Sequence, residues 1–327
     1  VPGIPRDLTV VEFEAPSVGR RMKYIAILPE NYEEDPTRRY PVLYMLHGFS
    51  QNYTVFPRMG VPQYTKDMDL IVVMPDAGNS WYVNWGQSEE GALNNWADYI
   101  IYDLIESVDA VFRTESSRLG RAISGVSMGG YGALTLALRR PDLFVSVASH
   151  SGTLAFAKNA AERLAAGGEP QPNIAPSEAQ SEDEGEVPEV IGIPGFTYQH
   201  ERYPQGITFT TAEQASAYDP FVLVQRIPPQ HLPHMYIDCA TGDSLIQDAR
   251  DFMQVMLEND LPVTFAQSPG AHGVRYWTRE LAQSIGVQYA IMHNALNRVP
   301  DPLSLPSTDN NQPVPVPMQH DHSQHQH

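Results

Sequence analysis

The chain has 327 residues, of which 42% are hydrophobic, enough for one large α/β domain or two small ones with a full apolar core. Its formal net charge of -18 repels nucleic acids and anionic lipid surfaces, which argues against both as partners. No apolar run is long enough to span a bilayer, so a membrane-embedded protein is not expected.

The first part of the chain is predicted to form four strands and a helix. The strands are predicted at 8–15, 22–28, 41–47 and 70–75. The last two are short, continuous apolar runs, which are typical of strands buried on both faces of a sheet. Apolar residues then recur at helical spacing from 94 to 112, with Asn94 or Asn95 as the predicted N-cap.

Strands and helices alternate in the rest of the chain. Strands are predicted at 121–125, 143–149, 234–241 and 262–267, and helices at 128–139, 245–257 and 275–296. This alternation predicts an α/β fold with a mostly parallel central sheet flanked by helices. In such sheets, ligands bind at the carboxyl ends of the strands.

Two segments depart from this alternation. Residues 154–211 are too long for a simple loop and are predicted to be an insertion, partly flexible near 168–190. The insertion follows the strand after the helix 128–139, and it is either a cap over the site or a solvated decoration.

Residues 299–327 are rich in Pro and His and are predicted to be a disordered tail after a catalytic domain over 1–298. The tail histidines are spaced closely enough to bind a divalent metal, but no catalytic metal and no cofactor are assigned.

The segment Gly125-Val126-Ser127-Met128-Gly129 has the G-x-S-x-G pattern of a nucleophile elbow, between a predicted strand and a predicted helix. Such a turn exposes a serine hydroxyl at the end of a sheet. The pattern alone occurs by chance in about one chain of this length in ten, so the assignment of Ser127 depends on its partners.

A serine hydroxyl becomes nucleophilic when a neutral imidazole accepts its proton and a carboxylate orients that imidazole. In folds that carry this nucleophile elbow, the chain order is serine, acid, histidine. Asp243 follows the predicted strand 234–241 and is the predicted acid, although the same position suits a helix N-cap. Asp238 lies within that strand, and Asp248 and Asp251 lie within the next helix, so they fit the role less well.

His272 is the predicted base. It follows the strand 262–267 in a glycine-flanked loop, where a side chain can reach across strand ends, and the alternative is an exposed loop histidine. The predicted oxyanion donors are the backbone N–H of Met128, which follows the nucleophile, and that of Phe49, which follows the strand 41–47. Gly48 permits a close approach of that loop.

Four further side chains near the predicted strand ends are candidate substrate contacts. These residues are His47, Trp81, Tyr82 and His150, and each of them has an alternative role in packing. The two aromatic residues are predicted to line an acyl or aryl pocket.

Cys239 is the only cysteine, which excludes an intrachain disulfide, and its apolar surroundings indicate a core residue. An acidic, cysteine-poor chain that begins at Val1 suggests a secreted or periplasmic bacterial protein whose signal peptide has been removed.

With these motifs in order, the chain resembles the putative esterase family of α/β-hydrolases, which includes esterase D (S-formylglutathione hydrolase), feruloyl esterases and mycolyltransferases. The matching segments are 44–49, 96–105, 121–136, 141–152, 219–243, 269–272 and 276–277. The resemblance implies an α/β-hydrolase fold in which Ser127, Asp243 and His272 are the nucleophile, acid and base. It also implies that Phe49 and Met128 are the oxyanion donors. The insertion and the tail depart from the family pattern and leave the substrate open.

We therefore expect a serine carboxylic-ester hydrolase that works through an acyl-enzyme. The resemblance and the nearby aromatic residues favour short-chain acyl or hydroxycinnamoyl (feruloyl-type) esters, as small molecules or linked to polysaccharide. The alternatives are acyl transfer to a sugar or another alcohol, and a binding protein on an inactive esterase fold. The sequence does not fix the oligomeric state.

Overall fold

A computed structural model describes residues 8–173 and 206–297. The predicted tail, 299–327, and the central part of the predicted insertion lie outside the described residues. Ten strands lie within them: β1 (Leu8–Ala15), β2 (Arg20–Ile27), β3 (Val42–Leu46), β4 (Ile71–Pro75), β5 (Gln87–Ser88), β6 (Arg121–Val126), β7 (Ser146–His150), β8 (Gly206–Ile207), β9 (His234–Ala240) and β10 (Thr264–Ser268).

Eight of these strands form one sheet in the order β1-β2-β4-β3-β6-β7-β9-β10. The pairs from β4 to β10 are parallel, whereas β2 is antiparallel to both of its neighbours. Strand β6, which Ser127 follows, lies in the middle of the sheet between β3 and β7, and β9 is the next strand beyond β7. The carboxyl ends of β6, β7 and β9 therefore meet at one edge.

Helices cover both faces of this sheet. Within the described residues they are α1 (Val55–Arg58), α2 (Val61–Tyr64), α3 (Trp96–Asp98), α4 (Ile105–Val111), α5 (Met128–Arg139), α6 (Phe156–Ala165), α7 (Ala212–Ser216), α8 (Pro220–Leu223), α9 (Ile246–Glu258) and α10 (Val274–Leu296). Alternate residues of β3 pack on opposite faces, because successive side chains of a strand point in opposite directions. Tyr44 packs in a cluster with Leu134 of α5, and Met45 packs in a second cluster with Leu281 of α10.

The predicted fold class is confirmed, and the main strands and helices begin or end within a few residues of their predicted bounds. One helix differs from its prediction: a π-helical stretch, Tyr99–Leu104, separates α3 from α4. Asp103 within it accepts hydrogen bonds from the N–H and the hydroxyl of Ser17, while Leu104 stays in the core. One wide turn leaves the apolar spacing nearly helical, so periodicity does not reveal it. No helix of the described residues is long and apolar enough to cross a membrane.

Candidate active site

Ser127 occupies a strained turn between β6 and α5. Its backbone has φ 54° and ψ -118°, in a region that residues with a side chain rarely adopt. A Cβ on Gly125 would lie 2.2 Å from the Gly129 carbonyl oxygen, and one on Gly129 would lie 1.9 Å from the Leu46 carbonyl oxygen. Both positions therefore require glycine, because only without side chains can the start of α5 lie directly against β3 and β6.

His272 lies between Ser127 and Asp243. Its Nε2 is 2.9 Å from the Ser127 Oγ, and its Nδ1 is 2.8 Å from the Asp243 Oδ2. The Asp243 side chain is fully buried, whereas 31% of the His272 side chain is exposed. A carboxylate accepts the Nδ1 proton, which leaves the Nε2 lone pair directed at the serine hydroxyl; this tautomer is assigned from the hydrogen-bond partners. The three residues predicted from sequence thus form one continuous line of hydrogen bonds.

Asp243 remains a carboxylate in this environment. Its burial favours the neutral acid, but the hydrogen bond and charge of His272, with the Leu245 N–H, outweigh burial and hold the pKa of Asp243 below its usual value. The Leu245 N–H donates to the Asp243 Oδ1 at 2.9 Å in the turn before α9. The N-cap of α9 is Leu245, whose side chain makes no capping hydrogen bond, so the alternative interpretation of Asp243 as that N-cap is wrong. Asp238, the candidate within β9, bonds to His150 instead.

The loop after β3 lies against Ser127 and contains an N–H group without an acceptor among the described residues. The Gly48 N–H donates to the Gln51 Oε1 at 2.8 Å, and the Ser50 N–H donates to the Asn79 Oδ1 at 2.7 Å. Between them, the Phe49 N–H has no acceptor among the described residues. A Cβ on Gly48 would lie 3.4 Å from the Ser127 Cβ, which shows how close this loop is to Ser127.

The Met128 N–H, in the first turn of α5, also has no acceptor among the described residues. Two unbonded N–H groups on either side of Ser127 suit an oxyanion hole, and that assignment remains a prediction. Gln51 was not a predicted site residue, because a bond within a loop leaves no periodic signal in the sequence.

His47 and Tyr82 were predicted to contact substrate, and the structure corrects this. Both side chains are fully buried. The His47 Nδ1–H donates to the Gly48 carbonyl at 2.9 Å, and its Nε2 accepts from the Ala77 N–H at 3.1 Å. The Tyr82 hydroxyl donates to the His47 carbonyl at 2.9 Å. Their polar atoms therefore hold the loop that contains Phe49, and none is available to a substrate.

His150 requires the same correction. Its side chain is fully buried, with Nδ1 2.5 Å from the Asp238 Oδ2 and Nε2 3.0 Å from the Ser284 Oγ. His150 does end a strand beside the nucleophile, as predicted, and its carbonyl accepts the Ser127 N–H at 2.9 Å. Its side chain, however, points into the sheet–helix interface rather than into the site.

Trp81 is the predicted substrate contact that stays partly exposed. Its ring stacks on Phe156 with centroids 3.7 Å apart and planes 6° apart, and it lies 5.6 Å from the ring of Phe49. We call Phe49, Trp81 and Phe156 the aromatic wall. Because Phe49 is the predicted oxyanion donor, the wall begins beside the predicted position of the reacting carbonyl.

The described parts of the predicted insertion contribute to this region. Phe156 begins α6 near one end of the insertion, and Phe209 near its other end lies 5.6 Å from Phe156. The Asn173 N–H donates to the Gly206 carbonyl at 2.8 Å, and the Asn173 Nδ2 donates to the Asn79 carbonyl at 2.5 Å. Both described ends therefore meet beside the loop that holds Phe49. A cap formed by the rest of the insertion remains a prediction.

Comparisons with known proteins identify the family and the fold of this chain. The family model described as "Putative esterase" matches residues 15–286. Esterase Rv1288 of Mycobacterium tuberculosis (strain ATCC 25618 / H37Rv) is 38% identical over 143 residues, which cover 43% of this chain and only 31% of that relative's length.

Two solved structures share the fold of this chain. FphF, a fluorophosphonate-binding serine hydrolase of Staphylococcus aureus, has a TM-score of 0.65 and 23% identity, over 87% of this chain and 99% of that chain. A ferulic acid esterase has a TM-score of 0.63 and 19% identity, over 87% of this chain and 98% of that chain. At these identities, the likeness concerns the fold. Among the described residues, no group of three His, Cys, Asp or Glu side chains is placed to hold a metal ion.

Proposed function

The chain belongs to the putative esterase family, and on this basis we propose that it is a serine carboxylic-ester hydrolase whose catalytic triad is Ser127, His272 and Asp243. The observation that supports the proposal most is the line of hydrogen bonds from Asp243 through His272 to the Ser127 hydroxyl. This order of groups lets a base accept the serine proton while a buried carboxylate stabilises the resulting charge.

In the first half of the reaction, the Ser127 Oγ attacks the ester carbonyl carbon while the His272 Nε2 takes its proton. The carbonyl oxygen becomes an oxyanion and accepts hydrogen bonds from the N–H groups of Phe49 and Met128. The intermediate then collapses and the carbon–oxygen bond to the alcohol breaks. The imidazolium of His272 protonates the departing alkoxide, which leaves an acyl-enzyme on Ser127.

Water completes the reaction. His272, again neutral, removes a proton from a water molecule as that water attacks the acyl carbonyl. A second oxyanion forms in the same place, and its collapse breaks the bond to the Ser127 Oγ, which regains its proton from His272. Asp243 keeps the imidazole in the tautomer that accepts a proton at Nε2 in both halves.

We infer that the acyl group is short-chain or hydroxycinnamoyl. The aromatic wall offers a flat, apolar surface next to the Phe49 N–H, and such a surface suits a planar aromatic acyl group as well as a small one. The name of one structural neighbour, a ferulic acid esterase, supports the hydroxycinnamoyl class. Hydrolysis of p-nitrophenyl acetate, p-nitrophenyl butyrate and methyl ferulate by the wild-type protein would rank these acyl groups.

Replacement of the nucleophile tests the proposal. Ser127→Ala is expected to abolish p-nitrophenyl ester hydrolysis and covalent labelling by a fluorophosphonate, whereas Ser116→Ala, an exposed serine, should leave both unchanged. Turnover near the wild-type value in Ser127→Ala would refute the assignment. A wild-type protein that is neither labelled nor active would favour the inactive binding protein. Ester products formed with an added sugar or alcohol would identify an acyltransferase.

A further inference from the structure

A second group of polar side chains lies beneath the proposed triad. We call it the buried network: His150, Asp238, Tyr276 and Ser284. The Asp238 carboxylate accepts from the His150 Nδ1–H at 2.5 Å through one oxygen and from the Tyr276 hydroxyl at 3.1 Å through the other. The His150 Nε2 lies 3.0 Å from the Ser284 Oγ. None of these side chains is more than 3% exposed, so the network does not contact substrate.

The network is connected to each of the three parts of the triad. The His150 carbonyl accepts the N–H of Ser127, so this residue supports the strained turn. Asp238 lies in β9, the strand that Asp243 follows, and it pairs in register with His150 of β7. A displacement of β7 against β9 would therefore move the nucleophile relative to the acid.

Tyr276 connects the network to the His272 loop. It lies in the first turn of α10, and a Cβ on Gly270 would come within 2.7 Å of its ring, so the ring packs against the backbone of that loop. The Gly270 carbonyl in turn accepts the Gly242 N–H at 3.0 Å, next to Asp243. Burial and the Asp238 carboxylate both raise the pKa of Tyr276, so its hydroxyl keeps its proton and donates to Asp238.

Stability alone does not account for such a network. Taking a carboxylate and an imidazole fully out of water is costly, and apolar side chains of similar size are often as stable or more stable in their place. What a hydrogen-bonded group provides instead is one fixed arrangement of the elements around it. Here those elements are the turn that contains Ser127, the strand β9 that precedes Asp243, and the helix α10 that follows His272.

We propose that the buried network positions Ser127 and His272 at hydrogen-bonding distance, and that Tyr276 and His150 are positioning residues for the reaction. The inference rests on the proposed function. Loss of the Tyr276 hydroxyl frees the start of α10 and the His272 loop from β9. Small displacements of reacting groups lower the rate of chemistry strongly while they leave substrate binding almost unchanged.

Tyr276, on α10, and Tyr64, which ends α2 and bonds to α10, provide a matched test. Tyr276→Phe removes the hydroxyl that bonds Asp238 of the buried network. Tyr64→Phe removes a hydroxyl that donates to the Thr278 carbonyl of α10 at 3.0 Å and makes no described bond to that network. Similar small decreases in the unfolding midpoint are expected for both variants. For Tyr276→Phe, we expect kcat to fall roughly tenfold with KM changed by less than about twofold, and for Tyr64→Phe we expect no change in kcat. Equal kcat values for the two variants would overturn the inference.

A second variant keeps the test independent of any single substitution. Ser284→Ala removes the group that faces the His150 Nε2, and it should also lower kcat without raising KM. In the double variant Tyr276→Phe/Ser284→Ala, the loss should be smaller than the product of the single losses, because both act through one network. Losses that simply multiply would contradict a single positioning unit.

The rate of fluorophosphonate labelling separates this inference from the proposed function. Labelling reports the reactivity of Ser127 directly and needs no ester substrate. If the wild-type protein is labelled but hydrolyses no ester, the proposed function is wrong, while slower labelling of Tyr276→Phe than of Tyr64→Phe still supports the inference. If esters are hydrolysed and both variants are labelled at the wild-type rate, only the inference is wrong.

Discussion

Replacement of Asp243 by asparagine tests the proposed chemistry with almost no change of shape. In the structure, the Asp243 Oδ1 accepts the Leu245 N–H and its Oδ2 accepts the His272 Nδ1–H. An asparagine has only one acceptor oxygen, and we expect the Leu245 N–H to donate its hydrogen bond to that oxygen, because the position of this backbone group is fixed. The amide NH₂ then faces the His272 Nδ1, which must give up its proton. The imidazole shifts to the tautomer that is protonated at Nε2, and it can no longer accept the proton of Ser127.

The expected loss follows from this change of tautomer. A wrong tautomer lowers kcat by about 10⁴-fold in a Ser-His-Asp triad, which corresponds to about 5 kcal/mol of transition-state stabilisation. KM should change little, because the buried Asp243 side chain does not touch substrate. Steady-state hydrolysis of a p-nitrophenyl ester measures both parameters, and an unfolding curve checks that the variant is folded.

A control and a refuting result are available for the same experiment. Asp251→Asn changes an exposed carboxylate on α9 that bonds only to Gln247 among the described residues, so wild-type kcat is expected. A folded Asp243→Asn protein with kcat within tenfold of the wild type would show that Asp243 does not set the tautomer of His272. In that case, Asp243 would no longer be assigned as the acid of the triad.

Two further predictions concern the turn and the pH dependence. Gly129→Ala places a Cβ 1.9 Å from the Leu46 carbonyl oxygen and should destabilise the fold by about 3 kcal/mol or more, whereas Gly286→Ala, with open space around it on α10, should stabilise it by about 0.5–1 kcal/mol. Urea unfolding of the two variants measures the difference, and equal midpoints would contradict the packing described for the turn. Because the pKa of Asp243 is held below the ordinary value of about 3.9, its contribution to stability is present above that pH and is lost as the pH falls through its lower folded-state value. Above about pH 5, Asp243 should therefore add no proton to the acid side of log(kcat/KM), and a slope of two there would contradict a permanently ionised acid.

The parts of the site that follow strands were predictable, and the reason is geometric. A G-x-S-x-G turn, an aspartate and a histidine each came after a separate apolar strand pattern. In a parallel sheet, the carboxyl ends of such strands lie at one edge. The structure brings Ser127, His272 and Asp243 together at that edge. The predicted elements therefore sufficed to place the three side chains near one another.

The direction of a side chain at a strand end was harder to predict. His150 lies at the predicted end of β7, but its side chain faces α10, while its carbonyl faces the nucleophile turn. Successive residues of a strand point to opposite faces, so an error of one residue reverses the expected role. The polar character of a histidine suggested a contact with substrate. In the fold, the hydrogen-bond partner of the His150 Nδ1 is instead Asp238, which lies 88 residues away in the sequence.

The substrate is the property that the sequence defines least, because three distant segments form the aromatic wall. Phe49 follows β3, Trp81 follows β4, and Phe156 belongs to the insertion after β7. No local spacing in the sequence marks these residues as neighbours, and each of them alone is of a residue type that is common in protein cores. The reaction type depends on short motifs at strand ends, which a fold of this class places in a fixed relation. The aromatic wall instead depends on how three separate segments pack against one another, so a substitution at Phe156 would alter the wall without changing Ser127, His272 or Asp243.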